Sequence, residues 1–331
     1  REAVNGTNEH RPTVSVIICT RDRPDDLARC LPTVLANDYP DFEVIVVDQS
    51  TTDASQRVAE SLADLRLRYH RQNATGKSRA LNAALAVAKG AVTAHTDDDC
   101  TVPPDWLRRA VEVLTEEPEA GIVFGAVAAA PHDGGETFLP AFRPTRYHRL
   151  QGRFARVRAQ ALAGANMAVR RAVFERLSGF DECLGPGSRF RSGDDDDLAY
   201  RALRAGFVVV LDPVNTIVHW GKREYADGSA RQLLRNYRYG DGASFVKHLR
   251  CGDPLAAYAL LREAFVEVRY LISNLIRHRR PSGAGRLLYL IMGAMRGLRQ
   301  PLDHKGQRYV PTGNETAVIG DSTRHPARAA K

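Results

Sequence analysis

A chain of 331 residues with 44% hydrophobic content carries enough apolar side chain to bury the core of one large domain or two smaller ones, which excludes a disordered or fibrous class. Its five cysteines, Cys19, Cys30, Cys100, Cys183 and Cys251, are odd in number and form no CxxC pair, so reduced thiols and no zinc site are expected. The net charge of +8 sits in one region, because Phe245 to Lys331 carries 15 Lys and Arg against 6 Asp and Glu beside apolar helical stretches, and no specific nucleic acid is expected.

Residues 1–11 form a polar arm without the apolar core of a signal peptide. Val14 to Cys19 reads as a buried strand, and Pro24 then opens a helix whose Leu27, Leu31, Val34 and Leu35 share one face. Val44 to Val47 is a second buried strand ending at Asp48. Val58, Leu62 and Leu65 mark a helix, and Leu67 to His70 a third strand. Gly76 to Lys89 is helical through Leu81, Ala84, Leu85 and Ala88, and Ala91 to Thr96 leads into Asp97-Asp98-Asp99. A helix with Leu107, Val111 and Leu114 precedes the strand Ile122 to Val127, and the Gly- and Pro-rich stretch Pro131 to Pro144 reads as a surface loop. Then follow Leu162 to Val169, a helix near Ala172 to Leu177, a helix opened by Asp194 to Asp197, and the strands Phe207 to Leu211 and Ile217 to Trp220.

From about Gly228 the chain turns helical and basic, with apolar stretches Leu255 to Ile276 and Leu287 to Leu298 separated by Arg277, Arg279 and Arg280. Neither stretch reaches the roughly 18 to 20 uninterrupted apolar residues of a spanning helix. A cytoplasmic protein with peripheral membrane contact through these helices is expected. Val310 to Lys331 is expected to be a disordered tail.

Alternating strands and helices predict an α/β fold with a mostly parallel sheet, in which ligands sit outside the carboxyl ends of strands. Thr20, Asp48 and Asp97 to Asp99 all fall there. Three adjacent carboxylates repel one another, so a fold that gathers them calls for a divalent cation, a ligand hydroxyl or both. The second cluster, Asp194 to Asp197, holds more acids than a helix N-terminus needs for capping. Two clusters far apart in sequence point to a division of labour, one holding a cation and the other a base.

Six segments together resemble the family 2 glycosyltransferases, whose fold is the nucleotide-sugar-binding α/β domain called GT-A. They are Val14 to Pro24 (VSVIICTRDRP), Glu43 to Asp53 (EVIVVDQSTTD), Gly76 to Asn82 (GKSRALN), Thr96 to Leu107 (TDDDCTVPPDWL), Gly164 to Arg171 (GANMAVRR) and Gly193 to Arg201 (GDDDDLAYR). The resemblance covers Pro12 to Trp220. It implies a nucleotide-sugar-binding half over 12–115 and an acceptor-binding half over 116–227, and the helical, basic pattern that follows adds an extension over 228–309.

The resemblance also implies roles. Thr20, Arg21 and Asp48 would meet the nucleotide, Lys77 its diphosphate, and Asp98 the ribose. Asp99 would hold Mn2+ or Mg2+ with Asp97 as helper, and His219 would complete the site. Asp195 would be the base, with Asp194 standing where the family has Glu. Asn166 and Trp220 would line the sugar and acceptor pocket, and Lys222 and Arg223 would neutralise the leaving diphosphate. The reaction implied is inverting transfer from a nucleoside-diphosphate sugar to a hydroxyl, as in cell-surface polysaccharide assembly. No QxxRW-type processive motif stands in Leu233 to Gly242, which favours single addition, and the basic tail suits a polyprenyl-linked acceptor.

Departures lie at Cys19, Arg21, Asp22 and Ser50, where the family commonly has Pro, Tyr, Asn and Gly, so the base stays open. A nucleotidyltransferase would place a glycine-rich basic loop after the first strand, where Thr20-Arg21-Asp22-Arg23-Pro24 stands without glycine. A non-catalytic nucleotide- or glycan-binding module of the same fold is the remaining alternative.

Overall fold

The structure, a computed structural model, describes residues 12–278 and 283–312. The N-terminal arm, Arg279, Arg280 and the tail from residue 313 onward lie outside the described residues.

The elements run β1 (Val14–Thr20), α1 (Pro24–Leu35), β2 (Phe42–Asp48), α2 (Ala54–Ser61), β3 (Leu67–Arg71), α3 (Lys77–Val87), β4 (Val92–Asp97), β5 (Cys100–Thr101) and α4 (Trp106–Glu116). They continue with β6 (Ala120–Ala129), β7 (Thr137–Phe138), β8 (His148–Leu150), β9 (Met167–Arg170), α5 (Arg171–Leu177), α6 (Asp194–Arg204), β10 (Val208–His219) and β11 (Arg223–Glu224). The last are α7 (Ser229–Arg250), α8 (Leu255–His278), α9 (Ala284–Arg299), β12 (Leu302–Asp303) and β13 (Arg308–Tyr309).

One sheet in the order β3-β2-β1-β4-β9-β6-β10-β5 spans both halves of the chain, with β8 on the flank of β10. Strands β1 to β4 are parallel, as are β6 and β10, whereas β9 runs antiparallel between β4 and β6. The strands carry apolar side chains on both faces because both are covered. Val14, Val16 and Ile18 of β1 face the layer of α1 and α4, and Ile17 faces the layer of α3, α5 and α6.

Three local features differ from the sequence expectation. Leu162 to Val169 is not continuous: a 3-10 turn at Gly164–Asn166 precedes β9, because the Asn166 amide turns into the core. The expected strand pair Phe207 to Leu211 and Ile217 to Trp220 is one strand, β10, with an irregularity between Asp212 and Thr216. Val310 is held to Pro301 and Gln300 beyond the β12–β13 hairpin, so order extends past the point where the tail was expected to start.

The helix α7 packs on α9 at backbone distance: a Cβ on Gly293 would overlap the Tyr239 carbonyl, and one on Gly242 the Leu290 carbonyl. It is tied to α6 by a buried ionic cluster. Lys247 Nζ lies 2.6 Å from Asp181 Oδ2 and 2.5 Å from Asp197 Oδ1, and Arg201 Nε lies 2.8 Å from Asp197 Oδ2. All four side chains are fully buried, so two cations balance two carboxylates and neither sign is left uncompensated. This cluster holds the start of α6, and with it Asp194 and Asp195, against the helical layer.

Candidate active site

Strand β4 delivers Asp97 to the carboxyl edge of the sheet, and the chain then turns back as β5 to pair with the end of β10. That pairing sets Cys100 opposite His219 and brings the imidazole to the first acid cluster. His219 Nε2 lies 3.3 Å from Asp99 Oδ1, and the Trp220 N–H donates to the Asp99 carbonyl at 2.8 Å. Arg23, from the loop before α1, lies 3.3 Å from Asp98 Oδ1 and 3.1 Å from Asp99 Oδ2. The Thr20 hydroxyl donates to Asp98 Oδ2 at 2.8 Å. Burial, opposed by Arg23 and reinforced by Asp99 and Asp97, pushes Asp98 up to about 7.

Asp97 faces the other way. Lys77 Nζ, one residue past the positive-φ Gly76 that starts α3, lies 2.5 Å from Asp97 Oδ1. Burial alone would raise the Asp97 carboxyl, but the ammonium outweighs it and holds the group below its ordinary value. Lys77 is also within the field of Asp194 and Asp195, and these three acids outweigh its burial and keep it firmly protonated.

The second cluster sits across from that ammonium at the start of α6. Asp195 Oδ2 accepts from the Gly164 N–H at 2.8 Å, and a Cβ on Gly164 would overlap the Asp195 carboxylate. Asp194 is buried, with its Oδ2 lacking a hydrogen-bond partner. Burial and repulsion from Asp195, opposed by Lys77, push Asp194 up to about 7, and burial raises Asp195 as well. Asp196 accepts from the Ala161 and Leu162 N–H groups, and Asp197 belongs to the buried ionic cluster. Four consecutive acids therefore have separate duties.

Asp99, Cys100 and His219 each offer a ligand atom, all within 4.8 Å of one another. His219 Nδ1 is buried without a hydrogen-bond partner, and a Cβ on Gly221 would overlap Asp99 Oδ2, so the glycine keeps this cradle open. Burial, with the neighbouring Asp97 and Asp99 charges, raises the Cys100 thiol well above its ordinary value. Asp99 oxygen and His219 nitrogen fit a divalent cation such as manganese or magnesium.

Several residues have duties other than those expected. Asn166 is buried, and its amide donates to the Ala126 and Asn215 carbonyls and accepts from Trp106 Nε1 at 2.8 Å. Asp48 is fully buried, accepting from Tyr69 Oη at 2.5 Å and from the Ser50 N–H at 2.7 Å, so it organises the loop after β2. Thr20 is buried and hydrogen-bonded to Asp98. Arg21 stays exposed and pairs with Asp22 at 3.6 Å. Trp220 is 38% exposed at the rim, its indole N–H donating to Thr101 Oγ1 at 3.0 Å and its ring facing Arg29. Arg223 lies in the short β11–β7 ribbon.

Sequence reasoning passed over Arg23, Cys100 and Tyr237. Tyr237 projects from α7, and burial together with the nearby charges of Asp97 and Asp195 raises its phenol to about 12, with Arg223 and Lys77 acting against them. Only the docking of α7 reveals it. A Gln-x-x-Arg pair does stand at the head of α7, as Gln232 and Arg235, but Asn236 follows where the processive motif has Trp, and Arg235 lies over Tyr289 of α9.

Comparison with known proteins agrees with this fold. Residues 15–178 match the glycosyl transferase family 2 model. The chain is 27% identical over 200 residues to the glucosyl-dolichyl phosphate glucuronosyltransferase of Haloferax volcanii, covering 57% of this chain and 61% of that protein. It is 26% identical over 282 residues to the succinoglycan biosynthesis protein ExoO of Rhizobium meliloti, covering 82% of this chain and 74% of that protein. Its fold superimposes on a mannosyltransferase from Pyrobaculum calidifontis, solved in complex with GDP-Man and Mn2+, with a TM-score of 0.58, 23% identity and 88% of each chain covered. With a GT-A sheet and a family model matched over residues 15–178, the chain belongs to glycosyltransferase family 2.

Proposed function

We propose that the protein transfers one sugar from a nucleoside-diphosphate sugar to an acceptor hydroxyl with inversion, with Mn2+ or Mg2+ held by Asp99 and His219. The observation that carries this reading is the placement of Lys77 between the two acid clusters, one of which contributes a cation cradle and the other a carboxylate pair with raised pKa values. The Mn2+ and GDP-Man of the Pyrobaculum structure support the cofactor and donor class. The dolichyl phosphate in the Haloferax relative's name supports a lipid-linked acceptor, and the succinoglycan relative supports cell-surface polysaccharide as product.

Lys77 and Arg23 supply positive charge where the diphosphate would lie. Asp195, fixed by the Gly164 N–H, removes the proton from the acceptor hydroxyl as its oxygen bonds to the anomeric carbon. The bond from that carbon to the diphosphate oxygen breaks, and the electron pair leaves on the diphosphate. A bound cation would stabilise negative charge on that leaving group. Asp194, beside Asp195, raises the basicity of the pair.

Calorimetry with UDP, GDP, TDP and CDP, each with Mn2+ and again with chelator, tests the reading. Metal-dependent binding of one diphosphate is the expected outcome and names the base; no binding of any would leave the non-catalytic module as the better reading.

A further inference from the structure

The helices α8 and α9 both pack on α7 and turn their opposite faces outward, and those faces are apolar. Leu261, Phe265, Ile272 and Ile276 of α8 are 69%, 66%, 51% and 75% exposed, and Ile291 and Leu298 of α9 are 46% and 58% exposed. On α8 the spacing 261, 265, 272, 276 makes a continuous stripe over a helix about 36 Å long.

Charge is sorted in the same direction. The two acids of α8, Glu263 and Glu267, are both buried on the inward face, where Arg238 of α7 lies 2.9 Å from Glu263 Oε2 and 2.8 Å from Glu267 Oε1. Arg286 of α9 joins Glu267 at 2.6 Å. Helix α9 has no acid at all. Among the described residues, the exposed charged positions of both helices are Arg269, Arg277, Arg296 and Arg299, all cationic. A solvated helix face carries mixed charges, and an interface with another copy of the same face would set arginine against arginine. Large apolar side chains rimmed only by arginines match the headgroup and acyl boundary of an anionic bilayer.

We infer that the outward faces of α8 and α9 form a peripheral docking surface for an anionic phospholipid bilayer. No helix among the described residues is long and apolar enough to cross a membrane, so the contact is one of lying in the interface. Helix α7 lies beneath these two and ties them to the catalytic body through Arg238 and the Lys247 cluster.

The test is co-sedimentation of the full chain with phosphatidylcholine vesicles and with vesicles of phosphatidylcholine and phosphatidylglycerol. Binding to the anionic vesicles alone, weakened by salt, is expected. Phe265→Glu with Ile272→Glu is expected to lower binding about tenfold or more, and Arg269→Glu with Arg277→Glu to remove the preference for anionic lipid. Leu65→Glu, at a 96% exposed leucine before β3, controls for exposed apolar residues in general and is expected to bind as the parent does. Circular dichroism and diphosphate calorimetry on every variant separate loss of fold or of donor binding from loss of lipid binding. The inference is overturned if the parent binds neither vesicle, if Leu65→Glu costs as much as the α8 pair, or if the α8 pair instead dissociates a dimer seen by sedimentation.

Discussion

Lys77 Nζ lies 2.5 Å from Asp97 Oδ1, so the residue matched to diphosphate recognition and an acid matched to the cation site are partners of one another. The pair joins the end of β4 to the start of α3 and faces Asp194 and Asp195 across the site. Lys77→Met is expected to weaken nucleoside-diphosphate binding by about 1.5–3 kcal/mol, the range of a hydrogen bond to a charged group. Calorimetry of the diphosphate with Mn2+ checks it, and unchanged affinity would place the diphosphate elsewhere.

Asp195→Asn is expected to lower the transfer rate by roughly 10²–10⁴ while leaving donor diphosphate affinity near that of the parent, because an amide cannot take the acceptor proton. The measurement is initial rate against calorimetric affinity on the same preparations. Full transfer by this variant would falsify the base assignment.

The pH profile follows from the same pair. The Asp194 carboxyl stands near 7 and that of Asp195 is also raised, and a base must be ionised to act. Transfer at saturating donor is therefore expected to fall as pH drops through neutrality. Asp194→Asn removes one negative charge from beside Asp195, which lowers the remaining pKa and moves that limb to more acid pH. A limb that stays in place in Asp194→Asn would show that the two acids do not share a titration.

Two glycines separate the cation cradle from the base. A Cβ at position 221 overlaps Asp99, and one at position 164 overlaps Asp195. Gly221→Ala is expected to weaken Mn2+ binding and leave Asp195 in place, whereas Gly164→Ala should depress the rate about tenfold or more at unchanged Mn2+ affinity. Titration of Mn2+ by electron paramagnetic resonance distinguishes them.

Lys247→Met leaves Asp181 and Asp197 buried with less positive charge and is expected to cost about 3–5 kcal/mol of stability. Lys247 and Arg201 outweigh burial and hold Asp197 below its ordinary value, so that contribution is present above the usual carboxylate range and is lost as pH falls below it. The gap in denaturation midpoint between parent and variant should accordingly narrow in acid.

Much of this architecture was already written along the chain. Short, β-branched apolar runs such as Val14 to Cys19 and Val44 to Val47 read as strands buried on both faces, and the residues that end them reach the carboxyl edge of the sheet. Asp97 to Asp99 and Asp194 to Asp197 were therefore identifiable as site candidates, since acids gathered at a strand end or a helix start repel one another unless a ligand, a cation or the helix dipole offsets them. Sequence spacing cannot say which oxygen meets which partner. Only the antiparallel return of β5 onto β10 brings His219 to Asp99, only the closed core sets the Asn166 amide against Trp106, and only the docking of α7 carries Tyr237 to the acids. Local pattern determines elements and the ends of strands because it acts through neighbours in the chain. The pairing of charges, and the sorting of α8 into an acidic inner face and an apolar outer one, depend on contacts between residues far apart in sequence, and those exist only once the layers have closed.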